Sequence, residues 1–358
     1  MRLARRGNVV TVKPVPRHVL SGFAETPASL ADLRADELFT AMGICEQNPL
    51  ELLVPGNASR IWKNAGATCM RTTLLSVALP DNSFLELGAG TGPDAARWSS
   101  NTKVFICAPP LEIIYVAQVA KATQKNDFRA FLRVLEFVDE CCGTYARDPF
   151  DPAVGEVSYD ERKYPTNLVT PSDVCAYLRL ACGIDGLTLA RKAARQAIDG
   201  SGSPMETYIN HALTLPPKYA GLSLRKPIAN RQLVLDGVRH VDLKHQTLRP
   251  DLQWPEFKTL AEYLGDKEHA SKSARIEDKN RMQDYAKTPY TVFPLMYDDV
   301  KNATALNRTA LMLGREFAKH GAKNVPSRLK KLMADQAFLA NQRVLMSVLL
   351  PPVNRYGE

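Results

Sequence analysis

Apolar positions set the rhythm of this chain before any single residue does. Residues 28–47 read as a helix, with polar Ser29 and Asp32 near its start. "LELLVP" at 50–55 is a short apolar run closed by Pro55-Gly56, which predicts a strand. "TTLLSVAL" at 72–79 and "KVFIC" at 103–107, rich in apolar and β-branched residues, predict two more. Pro109-Pro110 then opens a helix, "PPLEIIYVAQVAKAT", because proline in the first turn removes an N–H that has no partner there anyway. Asp127 is expected to cap the next helix. Its Phe128, Phe131, Leu132, Leu135 and Val138 form an apolar stripe at helical spacing.

The pattern breaks at "RDPFDPAVGEVSYDERKYPTN", 147–167, which is polar, carries three prolines and reads as a linker or long loop. Helices are expected from Pro171 to about Leu180, and over "DGLTLARKAARQAIDG" with Gly200 ending it. Ser203-Pro204-Met205-Glu206 carries the signature of a capping box with proline at the first helical position. From 224 the rhythm turns to short strands: "RQLVLDG" (231–237), "TLRPDLQW" (247–254) and "TLAEYLG" (259–265). A polar helix over about 271–286, a strand "YTVFPLM" (290–296), a helix over 303–320 and a basic amphipathic helix complete the chain. The whole reads as α/β: a mixed N-terminal domain to about 165, a helical connector over 166–202, a small mixed sheet flanked by helices over 203–320, and a basic helical tail over 321–358.

Composition narrows the function classes. The chain has 358 residues, of which 45% are hydrophobic and 23% charged, as in soluble globular proteins. No apolar run approaches the roughly 20 residues that span a bilayer. The opening "MRLARRGNVVTVKPVPRHVL" lacks the continuous apolar core of a secretory signal. The seven cysteines, Cys45, Cys69, Cys107, Cys141, Cys142, Cys175 and Cys182, form no CxxC pair and no zinc-ligand pattern. They are read as reduced and mostly buried, which gives a cytoplasmic expectation. A net charge of +8 permits a polyanionic partner. Arg315, Lys319, Lys323, Arg328, Lys330 and Lys331 stand against Glu316 alone over 315–331, and Arg191, Lys192 and Arg195 cluster over 187–199. Both groups suit phosphate neutralisation, and both also suit an ordinary solvated helix face.

Two stretches invite chemistry. "FLELGAGTG", 84–92, begins like the nucleotide loop of an S-adenosylmethionine-dependent methyltransferase. That fingerprint needs a strand before, a long helix after and an acid about 20 residues on. Only "PDAARWSS" is available for the helix, and the next strand ends in Ala108-Pro109-Pro110 without an acid. The methyltransferase is therefore a remote alternative, and a connecting loop explains the glycines. The second stretch is "RPDLQWPEFKTLAEYLG", 249–265. Asp251 and Glu262 lie on two strands joined by a turn at Pro255, a geometry that brings both carboxylates to one end of a hairpin. Two carboxylates plus waters are how proteins hold Mg²⁺, which can activate water against a phosphodiester. Glu206, in the first turn of the preceding helix, is a third acid, although a helix cap alone accounts for it. Asp251 as a turn-flanking acid and Glu262 on a solvent face are the plain alternatives. His240 and His245 read as solvated, and Asp236 as a turn residue before Gly237.

A helix with a glutamate, a strand with Pro-Asp and a hairpin to a second acid resemble the PD-(D/E)XK nuclease core, in the form found in very-short-patch-repair-like endonucleases. "SPMET" (203–207), "DLQWPEFKTLAEYLG" (251–265), "EHASKSARIEDKNR" (268–281) and "YTVFPLMYDD" (290–299) resemble that family's successive elements. The region with "KVFICAPPLEIIYVAQVA" and "ECCGTYARDP" is similar to uncharacterised actinobacterial members of the superfamily and to antitoxin-like proteins of abortive-infection systems. The resemblance implies a restriction-endonuclease-like core and a DNA endonuclease dependent on Mg²⁺ or Mn²⁺, in repair or phage defence. It implies Asp251 and Glu262 as metal ligands, Glu206 beside the metal or its water, and His269 near the scissile phosphate. Lys258, Arg275 and Arg281 would meet DNA or, for Arg281 and Arg275, the core carboxylates. One position departs: the family's second acid or lysine is Leu264 here, and leucine can neither bind metal nor orient water. Lys258, Asp266 and Lys267 are the neighbours that could substitute. Leu264 also favours the alternative, a catalytically degenerate DNA-binding or regulatory protein on the same fold.

Overall fold

The computed structural model describes residues 2–4, 9–11, 50–55, 70–75, 79–87, 104–145, 168–234, 243–245, 247–264 and 272–351. The chain divides into two compact units, Met1–Ala197 and Ile198–Glu358. Among the described residues the architecture is mixed α/β, with nine α-helices and one four-stranded mixed sheet as its largest sheet. No helix among them is long and apolar enough to cross a membrane.

Among its described residues the first unit holds three two-stranded sheets. β1 (Arg2–Ala4) pairs antiparallel with β2 (Val9–Thr11), β3 (Leu50–Pro55) parallel with β4 (Met70–Leu75), and β5 (Phe84–Leu87) antiparallel with β6 (Val104–Cys107). Two helices follow, α1 (Pro109–Thr123) and α2 (Asp127–Cys142). Asn126, and not Asp127, caps α2: its side chain accepts from the Arg129 amide at 2.8 Å. Asp127 instead occupies the first turn, where its charge favours the helix dipole. α3 (Pro171–Leu180) starts from a full capping box between Thr170 and Asp173. α4 (Leu187–Ala194) is shorter than its sequence pattern, because the chain leaves the helix after Ala194 and Gly200 lies beyond it with φ +75°. Gly186 enters α4 at φ +85°, and a Cβ there would stand 2.6 Å from the Ile114 carbonyl oxygen. Only glycine permits that approach of α4 to α1. Residues 28–47 and 147–167 lie outside the described residues.

The second unit opens with α5 (Pro204–Thr214), capped by Ser203. β7 (Ile228–Ala229), β8 (Leu252–Trp254), β9 (Thr259–Tyr263) and β10 (Thr291–Leu295) form one sheet in the order β10-β9-β8-β7. The first three are antiparallel, while β9 and β10 run parallel and are joined by α6 (Lys272–Tyr285). β8 is shorter than "TLRPDLQW" suggested. Residues 231–234 are irregular; there the Leu233 amide donates to the Leu248 carbonyl at 2.8 Å. Side chains on β9 alternate, so Leu260, Glu262 and Leu264 share one face and Ala261 and Tyr263 the other. Leu260 packs with Leu233, Leu248 and Tyr285 of α6, flanked by Leu243, Met282 and Val292. α7 (Ala303–Lys319) brings Phe317 against Trp254 and Phe257, with ring centroids 5.2 and 4.3 Å apart. The expected single C-terminal helix is two: α8 (Val325–Met333) and α9 (Gln336–Leu349). Asp335 starts the second by accepting from the Ala337 and Phe338 amides. α8 packs on α7, and α9 on α5 and α7.

Candidate active site

The β8-β9 pairing sets Leu252 opposite Ala261, so Asp251 and Glu262 meet at the open end of the hairpin. Each acid is bound to the other's strand. The Asp251 amide donates to Glu262 Oε2 at 3.2 Å, and the Tyr263 amide donates to Asp251 Oδ2 at 2.6 Å. Glu206 arrives from the first turn of α5. Its carboxylate does not close the capping box onto Ser203; it accepts from the Gly202 amide at 2.8 Å and from Asn230 Nδ2 at 2.5 Å. Asn230 is held in turn by the Gly200 carbonyl at 3.1 Å and lends its own amide to the Asp251 carbonyl at 3.3 Å. Its φ of +49° is a left-handed conformation that asparagine tolerates better than most residues.

Glu206, Asp251, Ile209, Leu252, Ala261, Tyr263 and Leu295 line a narrow recess with no room for a water molecule. Glu262 does not line it. It lies on the α6 face of the sheet, 2% exposed, with Arg281 Nε 2.9 Å from Oε1 and the Tyr285 hydroxyl donating to Oε2 at 3.2 Å. The Arg281 Nε–H is directed off the line to the oxygen, so this contact is an ion pair without a hydrogen bond. Arg281 also pairs with Asp278 at 2.6 Å.

Charge is crowded here. Part of Asp251 reaches solvent, but its carboxyl lies within protein. Burial pushes that carboxyl well above the ordinary carboxylate range; Glu206 and then Glu262 push it further, and the Tyr263 amide and Arg281 only partly offset them. Burial likewise pushes Glu262 up to about 7, against the pull of Arg281, the Asp251 amide and Tyr285. A site whose acids resist ionisation in this way is short of positive charge, and its donors are hard oxygen ligands suited to Mg²⁺ or Mn²⁺. The donor chemistry suits a divalent cation, although Asp251 lines the recess and Glu262 faces α6 and Arg281. Among the described residues, however, no three His, Cys, Asp or Glu side chains stand in metal-ligating array.

The remaining expected residues fall elsewhere. Lys258 is exposed at the hairpin tip, in a left-handed conformation with φ +44°, four positions along β9 from Glu262 and at its opposite end. It does not reach the acids, so it is no substitute for a lysine at 264. Arg275 lies on α6 with its side chain outside the described residues, as are His269, Asp266 and Lys267. His245, expected to be solvated, is partly exposed and also lies between Asp284 and Glu277. Arg191 is turned inward to the Leu178 and Ala181 carbonyls, where it satisfies the end of α3. Lys319 pairs with Glu316, and Arg328 binds the Ser223 carbonyl, while Arg315, Lys323, Lys330 and Lys331 are exposed. A second, open recess of about 590 Å³ is walled by Lys301, Arg308 and Arg343 together with Asp298, which pairs with Lys301 at 2.6 Å.

Asn230 and Tyr285 are the partners that sequence reasoning passed over. Helical spacing places Asp278, Arg281 and Tyr285 on one stripe of α6, which is the signal that finds Tyr285. Asn230 carries only the weak signal of a turn former before an apolar run. The glycine run 88–92 lies outside the described residues. Its leading strand β5 runs antiparallel to β6, whereas a doubly wound cofactor fold needs parallel neighbours there. No protein-family model matches the chain, and no curated protein or solved structure matches it either.

Proposed function

We propose that the second unit is a restriction-endonuclease-like core that hydrolyses DNA phosphodiester bonds with Mg²⁺ or Mn²⁺. The observation that carries this reading is the crossed hydrogen bonding that joins Asp251 to Glu262 at the end of the hairpin, with Glu206 beside Asp251 in the recess. The order of elements supports it: an acid-bearing helix, a Pro-Asp strand, a hairpin to a second acid, a helix and a parallel strand follow the sequence resemblance element by element. Asp251 and Glu262 would hold the metal, and Glu206, anchored by Asn230 and Gly202, would orient its water. When bound, the cation would make that water acidic and neutralise charge developing on the phosphate. Arg281 supplies from α6, beside Glu262, the positive charge that Leu264 does not. The basic recess with Arg308 and Arg343 suits neutralisation of flanking phosphates.

A second reading has its own support. Leu264 and a recess too narrow for water favour a degenerate core kept for DNA binding or regulation. Supercoiled plasmid separates the two. Nicking by the wild type with Mn²⁺ or Mg²⁺, absent in both Asp251→Ala and Glu262→Ala, supports hydrolysis. DNA binding without nicking in all three proteins supports the degenerate core, and no binding at all removes both.

A further inference from the structure

α7 and α9 are locked together by a reciprocal pair of side-chain amides. Gln342 of α9, fully buried, donates from Nε2 to Asn307 Oδ1 at 2.9 Å, and Asn307 Nδ2 donates to Gln342 Oε1 at 3.3 Å. The next residue on each helix is an arginine, so this lock fixes the backbones that carry Arg308 and Arg343. Both arginines line the open recess of about 590 Å³, together with Lys301, Asp298 and the first turn of α7. Asp298 is engaged by Lys301 at 2.6 Å, and neither arginine has a carboxylate partner among the described residues. Three cationic side chains against one carboxylate leave the walls with two positive charges in excess. The guanidiniums and the cavity make the site. The first turn of α7 only adds to it, through the amides of Ala303 and Thr304, which have no carbonyl one turn earlier to bind; the Asn302 side chain caps the amide of Ala305.

We propose that this recess is a binding site for a phosphomonoester, gripped by Arg308 from α7 and Arg343 from α9. Each guanidinium offers a planar fork of donors that matches two phosphate oxygens. A monoester presents three free oxygens and about two negative charges at neutral pH, so it engages both forks and cancels the excess charge of the walls. A phosphodiester of a nucleic-acid backbone has two free oxygens and one charge, enough for one fork. The recess is larger than a phosphate and of the size that holds a small organic molecule. Met346 and Ala305, both buried, offer apolar surface to the organic part. A free mononucleotide and the phosphorylated end of a strand carry this same chemistry. The site uses none of Glu206, Asp251 and Glu262, so it stands apart from the nuclease reading.

The test is an NMR titration of the labelled full chain at fixed ionic strength and about pH 7.5, where a monoester is dianionic. The probes are methyl phosphate, dimethyl phosphate and adenosine monophosphate. Saturable shifts of the Ala303 and Thr304 amides are expected, with methyl phosphate binding about tenfold more tightly than dimethyl phosphate. Arg308→Gln and Arg343→Gln should each weaken adenosine monophosphate about tenfold. Lys125→Gln with Lys279→Gln removes two exposed charges that do not line the recess and should leave that affinity within about twofold. Equal binding of the monoester and the diester overturns the proposal, as does an absence of saturable binding or a lysine variant as weak as either arginine variant. Should an arginine variant fail to fold, the wild-type comparison of monoester with diester decides. A strand phosphorylated at one end that displaces adenosine monophosphate, while its unphosphorylated counterpart does not, supports the proposal and names a strand end as the source. Displacement by neither supports it with the free nucleotide as the source, and equal displacement by both overturns it. Failure to nick plasmid would remove the nuclease reading and leave this site standing.

Discussion

Replacing Glu262 with glutamine should make the protein more stable at neutral and alkaline pH. The sign follows from the protons. Glu262 titrates at 4.5 when unfolded and is raised to about 7 when folded. Between those values the folded state keeps a proton that the unfolded chain has lost, so stability falls as pH rises through that window and no further above it. The full cost is about 3 kcal/mol, since each pH unit of difference corresponds to ~1.4 kcal/mol. Glutamine carries no charge to desolvate. Its carbonyl can still accept from the Asp251 amide and the Tyr285 hydroxyl, and Arg281 keeps Asp278. It also relieves Asp251 of one neighbouring charge. Urea unfolding of both proteins from pH 4.5 to 8 should show equal stability at the acid end and a variant advantage of about 1–3 kcal/mol at the alkaline end. His245, whose midpoint Glu277 and Asp284 raise, also weakens the fold as pH rises through it, but that loss is common to both proteins and cancels in their difference. A difference curve that is flat with pH would refute the reasoning, as would a variant less stable than wild type at pH 8.

Other outcomes follow from the same geometry. Asn230→Ala should cost about 1.5–3 kcal/mol in chemical denaturation, because it removes one of the donors to the Glu206 carboxylate and puts alanine in a left-handed turn. Trp254→Phe removes the Nε1 donor that reaches the Arg225 carbonyl at 2.6 Å and should cost about 1–3 kcal/mol, read by far-UV circular dichroism during denaturation. Gly186→Ala should destabilise by roughly 2–4 kcal/mol, through its left-handed φ and the clash with Ile114, with loss of α1 amide protection as the measurement. If the chain binds DNA, Arg308→Glu with Arg343→Glu should reduce the salt dependence of binding by about two phosphate contacts, measured by fluorescence anisotropy at several ionic strengths.

Much of the second unit is legible in its sequence, because local signals and long-range partners agree there. Pro-rich turns and apolar spacing mark β9, α6, β10 and α7 to within a residue or two, and the hairpin implied by Pro255 brings the two acids together as their spacing suggested. Where local pattern and pairing disagree, pairing decides. "RQLVLDG" alternates like a strand, yet its described part is irregular. The two-residue β7 forms from Ile228-Ala229 because β8 offers them a partner. Pro250 helps to explain why β8 begins at Leu252, since proline has no amide to give a sheet. His245 carries no sequence signal at all: its carboxylates lie 32 and 39 positions further on. The division of the acids between the two faces of the sheet is equally silent, because spacing gives their proximity and not the direction each carboxylate takes.

The crossed hydrogen bonds between Asp251 and Glu262 have an evolutionary consequence. Folding asks these two positions for an acceptor, which asparagine and glutamine supply as well as the acids do, and the uncharged pair would fold more readily. On the nuclease reading, the carboxylates themselves answer to chemistry. In a lineage released from hydrolysis, drift should therefore run first through Asp251→Asn and Glu262→Gln with the hairpin intact, so a survey of descendants would read the amide pair as the mark of lost catalysis. On the proposed nuclease reading, a chain that carries both acids at a cost to its own stability keeps them for the charge.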